Sequence, residues 1–337
     1  QKAELVEGRV GNQEIILNCL LAIANTQKKL QNYEEAIAQF ENFLSIKGGN
    51  ITPKEKAHIL TEIATNHRFL ANFEEAFKLF FEAIKLQSPI NDKEGLLKSN
   101  YQLGSLYFYQ VNYEEALKYY HIALVLAKEL GIKRSTFSSL AAIGSAHDRL
   151  ENYDESFKYC LKSYEIALEL EDDQALAYSS HNLASNYLNS KNYDKAIELF
   201  EEAIEYKRKL GDYWGLIGSI WAMSDTYTEM DEPQKAIELL KKGEQIAEKI
   251  GAKSRLLEVY TALAGANEKA GNFEEGFSYL KKYSELKDSV FNEDMSSKMK
   301  EVQTDFELEQ KEKEIQLLHK EQEINTLYIY LNYFYEL

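Results

Sequence analysis

Proline is nearly absent from this chain, with 3 in 337 residues, and no Ser/Gly-rich stretch interrupts it. Both absences exclude domains strung on linkers and leave room for unbroken helices. Cysteine is as scarce: Cys19 and Cys160 have neither metal nor disulfide spacing. Both fall on apolar helix positions and are expected to be buried free thiols. The 6 histidines form no His-x-x-x-His pair and none has a cysteine at ligand spacing, so no metal is expected. A phosphate loop, a dinucleotide fingerprint and a nucleophile elbow are all missing, so neither a cofactor nor catalysis is expected. Positive charge is outnumbered, 39 Lys and Arg against 55 Asp and Glu, giving a net charge of −16. Nucleic acid is excluded as a partner of such a surface, because phosphate binding depends on cations that displace counterions. Long apolar runs are missing too. The aromatic-rich stretch from Leu327 to Leu337 is only 11 residues, too short to span a bilayer unless it opens a longer segment. There is no signal peptide, although the chain starts at Gln1 rather than Met. A cytoplasmic location is expected, or a periplasmic one if the parent carries a signal and a spanning helix beyond residue 337.

What the chain does have is a repeat. Asn112-Tyr113-Glu114-Glu115-Ala116 recurs in one register as the stretches opening at Asn32, Asn72, Asn152, Asn192 and Asn272, with a divergent copy at Glu232-Pro233. A fixed period of 40 residues marks an array of structural repeats. Asn is a good N-cap, and the Glu three residues later suits a capping box, so each copy is read as the start of a helix. Pro233 suits a first helical position. Gly11, Gly131, Gly211 and Gly251 share another phase and suit the left-handed residue that closes a helix. Each repeat is therefore helix A, a tight turn, helix B and a glycine turn.

The apolar pattern agrees. Helix A carries Asn100, Leu103, Gly104 and Tyr107 in the third repeat, and Leu140, Ile143, Gly144 and His147 in the fourth. Helix B alternates small, large and small, as in Ala116, Tyr120 and Ala123, or Ala196, Phe200 and Ala203. Spacings of three and four put these residues on one helical face. The order Leu103-Gly104, Tyr107, Ala116, Tyr120, Ala123 resembles the tetratricopeptide repeat position for position. Leu183-Ala184, Tyr187, Ala196, Phe200, Ala203 follows with Ala in place of Gly. HEAT-type repeats have a similar length but lack this order. The resemblance implies an all-α fold, a right-handed α-α superhelix or solenoid of seven repeats over residues 11–290.

Residues 1–10 are expected to be the tail of a preceding repeat helix, ending at Gly11. Residues 291–337 are expected to form a long charged C-terminal helix. Leu317, Ile324 and Leu331 are spaced by seven, so it could pair as a coiled coil in a homodimer, or fold back as a cap.

The resemblance also implies that helix A lines a concave wall that binds a protein or peptide segment. By position, that wall would comprise Asn25, Lys28, Arg68, Tyr101, Tyr109, Arg149, Tyr178, His181, Asn182, Trp221 and Asp225. It would run from basic, through aromatic and amide, to acidic. Amide side chains suit a peptide backbone and aromatics suit binding hot spots. Lys28 and Asn25 only partly match the carboxylate clamp of chaperone-binding members, and that partner is not expected. The layout resembles the input region of larger bacterial signalling proteins, ahead of a histidine kinase, cyclase or transcription-regulator output. A stand-alone peptide-pheromone receptor and an assembly adaptor are the alternatives.

Overall fold

The computed structural model describes residues 2–290 and Lys311, with side chains from residue 14 onward. The readings of residues 291–337 as a charged helix, coiled coil or cap lie outside the described residues. Two compact parts are distinguished, residues 1–226 and residues 227–337, and each is described by itself.

The first part is a run of paired helices: α1 (Lys2–Lys29), α2 (Tyr33–Lys47), α3 (Pro53–Phe69), α4 (Phe73–Gln87), α5 (Lys93–Tyr109), α6 (Tyr113–Glu129), α7 (Lys133–Arg149), α8 (Tyr153–Leu170), α9 (Asp173–Asn189) and α10 (Tyr193–Leu210). Helix α11 (Tyr213–Glu229) crosses the division. The second part continues with α12 (Pro233–Ile250), α13 (Lys253–Lys269) and α14, helical from 273 to 290 among the described residues. Odd-numbered helices are the A helices of the repeat and even-numbered ones the B helices. No strand occurs among the described residues, and the all-α repeat architecture is the one the period predicts. No helix of the described residues is long and apolar enough to cross a membrane.

In the first part, each helix packs on the next, and A helices also meet the A helix of the following repeat, as α3 with α5 and α7 with α9. The joints are filled by the large member of the small–large–small pattern. Phe40, Phe80, Tyr120 and Phe200 are all at most 4% exposed, and the flanking Ala36, Ala76, Ala116 and Ala196 are fully buried. Gly104 lets α5 approach α6 closely, because a Cβ there would stand 2.7 Å from the Tyr120 ring. The ring phase works in the second part as well, where Leu240 is 1% exposed.

The turns differ from expectation in an informative way. The residue before each helix-opening Asn has a left-handed backbone: Gln31, Ala71, Val111, Glu151 and Lys191, all with φ between 58° and 64°. The Asn N–H then donates to the carbonyl five residues back, as Asn72 to His67 O at 2.9 Å and Asn112 to Tyr107 O at 3.0 Å. This is a Schellman closure of helix A. The same Asn thus serves two helices, with ψ between 65° and 74° rather than the extended value of a capping residue. As a result Asn32, Asn72, Asn152 and Asn192 make no side-chain cap, and only Asn112 does, weakly, to Glu115 N at 3.4 Å. The expected capping boxes are therefore not where the sequence placed them.

Side-chain caps stand instead on the A helices. Thr52 and Glu55 form a full capping box, which holds the Glu55 carboxyl down at about 2 through the Thr52 backbone N–H first. Asp172 accepts from Ala175 N at 2.9 Å and Asp212 from Gly215 N at 2.8 Å. Gly131, Gly211 and Gly251 do take the left-handed conformation expected of them. Gly11 does not end a helix: α1 runs unbroken through it from Lys2 to Lys29. A glycine inside a helix costs only about 1 kcal/mol relative to Ala, so a continuous helix overrides the punctuation.

Val111 is the least suited of these left-handed residues, being β-branched, and its side chain is 68% exposed. A left-handed L-residue costs about 1–2 kcal/mol, and glycine gives back roughly 0.5–1 kcal/mol in unfolded-chain entropy. Val111→Gly is therefore expected to stabilise the chain by about 1 kcal/mol in urea denaturation. Unchanged or reduced stability would show that the turn is not closed in this way.

Candidate functional site

The A helices α7, α9 and α11 present successive faces to one another within the first compact part. Between them opens a cleft of 390 Å³, lined by Ser145, Asp148 and Arg149 from α7, Tyr178, His181, Asn182, Ser185 and Asn186 from α9, and Trp221 from α11. Phe108 of α5 and Ser156 and Cys160 of α8 complete it. The helical period explains the α9 set: positions 178, 181, 182, 185 and 186 fall on one stripe, spaced by three, four and one.

Several of these groups are already held. Tyr178 Oη lies 3.3 Å from Ser145 Oγ, which ties α9 to α7 across the cleft. The His181 ring stands edge-on to Phe200 at 5.5 Å, and its Nδ1 lies 3.0 Å from Ser219 Oγ. Asn189 donates to Asp148 Oδ1 at 3.3 Å. Burial pushes the Asp148 carboxyl above its ordinary range, against the pull of Arg149 and Asn189. Burial also raises the Cys160 thiol to about 11, so it is a neutral wall of the cleft rather than a nucleophile. Asn186 Nδ2 donates to Asn182 O at 2.9 Å. Two buried amide atoms, Asn182 Nδ2 and Asn186 Oδ1, have no hydrogen-bond partner among the described residues.

Of the wall residues named from sequence, Arg149, Tyr178, His181, Asn182 and Trp221 meet on this cleft. Tyr101 shares a neighbouring hollow of 230 Å³ with Tyr178. It is more a packing residue than a wall residue: its ring leans on Tyr120 at 5.6 Å, and burial pushes its phenol up to about 12. Arg68 lies over the Phe69 ring at 4.4 Å and near the Tyr109 ring at 5.3 Å, a cation–π group apart from the cleft. Asp225 is exposed on α11 but does not line the cleft.

At the basic end of the wall, Asn25 and Lys28 have partners within the protein. Asn25 turns back on its own helix, donating to Leu21 O at 2.8 Å. Lys28 pairs with Glu62 at 2.7 Å, and Lys98 pairs with the same carboxylate from the other side. Glu62 is 3% exposed, and its one carboxylate is shared by the two ammonium groups. The expectation that Cys19 is buried is corrected: it is exposed. Leu17 and Ala24 face α2, and a step of two residues from Leu17 turns Cys19 about 200° round the helix.

Ser145, Asp148, Ser156, Cys160, Ser185 and Asn186 were not picked out from sequence. The signal lay in departures from the repeat, since Ser156 and Cys160 stand at phases held in the flanking repeats by Ala116 and Ala196 and by the rings of Tyr120 and Phe200. Among the described residues, no group of three or more His, Cys, Asp or Glu could hold a metal ion.

The comparisons agree on the fold. Tetratricopeptide repeat family models match residues 17–50 and 135–209. No curated protein matches the chain. A signal transduction ATPase with numerous domains (STAND) from Pyrococcus horikoshii, with a tetratricopeptide repeat sensor, aligns at 20% identity and a TM-score of 0.70. The alignment covers 83% of this chain and 45% of that one, so the chain spans less than half of that protein. The apo form of RapI aligns at 14% identity and a TM-score of 0.66, covering 82% of this chain and 99% of that one. The Rap conjugation gene regulator of plasmid pLS20, solved with a Phr peptide, aligns at 15% identity and a TM-score of 0.60, covering 83% and 76%. With the recurring Leu-Gly, Tyr, Ala, ring and Ala positions in place and the paired helices observed, residues 17–50 and 135–209 are tetratricopeptide repeats within an all-α array of paired helices.

Proposed function

We propose that this chain is a peptide-binding scaffold, and that an extended segment lies along the cleft between α7, α9 and α11. One observation carries the reading: three successive A helices bring an exposed cation, two half-exposed aromatic rings and an amide, namely Arg149, Tyr178, Trp221 and Asn182, to one cleft. Aromatic and Arg side chains supply binding energy at low ordering cost, and an amide grips a peptide backbone with both donor and acceptor. The solved Rap–Phr complex supports the reading by likeness of fold. The test uses heptapeptides selected from a randomised library on the whole chain, with affinity followed through Trp221. Tyr178→Ala combined with Asn182→Ala is expected to weaken the selected peptides at least about tenfold, the loss of one good contact and one hydrogen bond. Unchanged affinity would move the binding site away from this cleft.

The likeness to a protein with a tetratricopeptide repeat sensor supports a second, compatible reading. In it the array is the input of a larger signalling protein, and peptide binding biases the output. Sequencing the parent reading frame tests it: a kinase, cyclase or DNA-binding domain in the same frame supports it, and a stop codon near Leu337 removes it.

A further inference from the structure

The fourth repeat departs from the joint packing of the repeats on either side of it. The large residue at the joint is Phe40, Phe80, Tyr120, Phe200 and Leu240 in five repeats. In the fourth it is Cys160, and the flanking small residues become Ser156 and Ser163. Cys160 packs against Gly144, as Tyr120 packs against Gly104, and a Cβ on Gly144 would lie 2.6 Å from the Cys160 Sγ. Cys160 and Ser156, small residues where the flanking repeats carry Tyr120 with Ala116 and Phe200 with Ala196, line the floor of the cleft.

The chemistry around the cleft floor is specific. Asn186 is 4% exposed and lines the cleft. Its orientation is fixed by the Nδ2 bond to Asn182 O at 2.9 Å, and Oδ1 is left without a partner among the described residues. Asn182 Nδ2 is in the same position as a donor. The cleft therefore offers one unused acceptor and one unused donor. An aromatic or aliphatic side chain would fill the space and seal both away unpaired. A carboxylate could accept from Asn182 but would face the Asn186 oxygen and the Asp148 carboxyl. A primary amide answers both groups, donating to Asn186 Oδ1 and accepting from Asn182 Nδ2.

We propose that the cleft floor beside Cys160 takes up a glutamine or asparagine side chain of the bound peptide, its amide lying on the side where the flanking repeats carry the rings of Tyr120 and Phe200. This rests on the peptide-binding reading above. The test selects randomised heptapeptides in parallel on the wild-type chain, on Cys160→Phe, which restores the ring, and on Asn186→Leu, which keeps the volume and removes the acceptor. Selection on the wild type is expected to fix Gln or Asn at one position. Replacing it by Leu in the selected peptide should weaken wild-type binding about tenfold or more, and binding to either variant less than about twofold. The same amide preference on both variants, or a wild-type preference for rings or for no side chain, overturns the pocket and leaves the groove reading standing. If no peptide is recovered on the wild type, both fail together. Circular dichroism checks each variant, and Asn186→Leu carries the test should the Cys160→Phe chain fail to fold.

Discussion

Phe80→Ala is expected to lower the stability of the first compact part by about 3–5 kcal/mol, the range for deleting a large buried aromatic. The Phe80 ring is fully buried and packs with Ala64, Ala76, Leu103 and Leu106, drawn from α3, α4 and α5. Two of those neighbours are alanines with no side chain to swing into the void. Collapse would require whole helices to shift, so most of the cavity stays open. Phe80→Leu keeps most of the volume and should cost less than about 1.5 kcal/mol. Urea denaturation with both variants separates cavity from chemistry. In an array whose repeats hold one another in sequence, the damage also falls on one joint, and the transition should broaden or split. A loss under about 1 kcal/mol for the alanine variant would mean that the joint repacks and that the ring is not its filler.

The second large effect comes from charge. Lys28 of α1 and Lys98 of α5 reach the Glu62 carboxylate of α3 from either side, one at 2.7 Å. Burial alone would push the Glu62 carboxyl up; Lys98 and Lys28 together outweigh it and hold the pKa below the ordinary value. Replacing both lysines by methionine keeps the packing of their stems and leaves a buried carboxylate unpaired. The cost at pH 7 should be about 3–5 kcal/mol. The pH dependence gives the sign. In the wild type the depressed pKa contributes stability that is full above the unfolded carboxylate value and lost as pH falls through the folded one. In the double variant only burial remains, so the folded pKa is raised. Its deficit is then largest near neutrality and shrinks as acid protonates Glu62. His58 lies in the same field and is held below its ordinary pKa by burial first and by Lys98 next, so losing Lys98 eases its protonation. Equal deficits at pH 4.5 and pH 7 would show that packing, not the carboxylate, sets the loss.

Much of the fold could be read from the sequence because the period carries it. The Asn phase located six of the seven B helices and Pro233 the other, and Gly131, Gly211 and Gly251 located three turns by their left-handed backbone. Rings at 40, 80, 120 and 200 named the joints. What sequence could not supply was geometry that depends on two elements at once. Asn32 looks like a cap until the preceding Gln31 is seen in the left-handed region, which turns the Asn to the service of the helix behind it. Lys28 looks like a free cation until α1 and α3 are laid side by side and Glu62 appears beneath it. Five of the twelve residues that line the cleft were among the wall positions, from Arg149 to Trp221. The floor was hidden because Ser156 and Cys160 are unremarkable residues whose meaning comes only from what the other repeats place there.

Among the described residues, side-chain bonds between repeats of the first part span about one period. Lys93 meets Glu129 at 3.0 Å and Lys133 meets Glu169 at 2.9 Å, and A helices touch the A helix of the next repeat. The cohesion of that part is that of a zipper, in which each tooth is gripped by its neighbours and a breach can stop where it started. A single free energy of unfolding is then a poor description of it, and amide exchange read repeat by repeat is the natural measure.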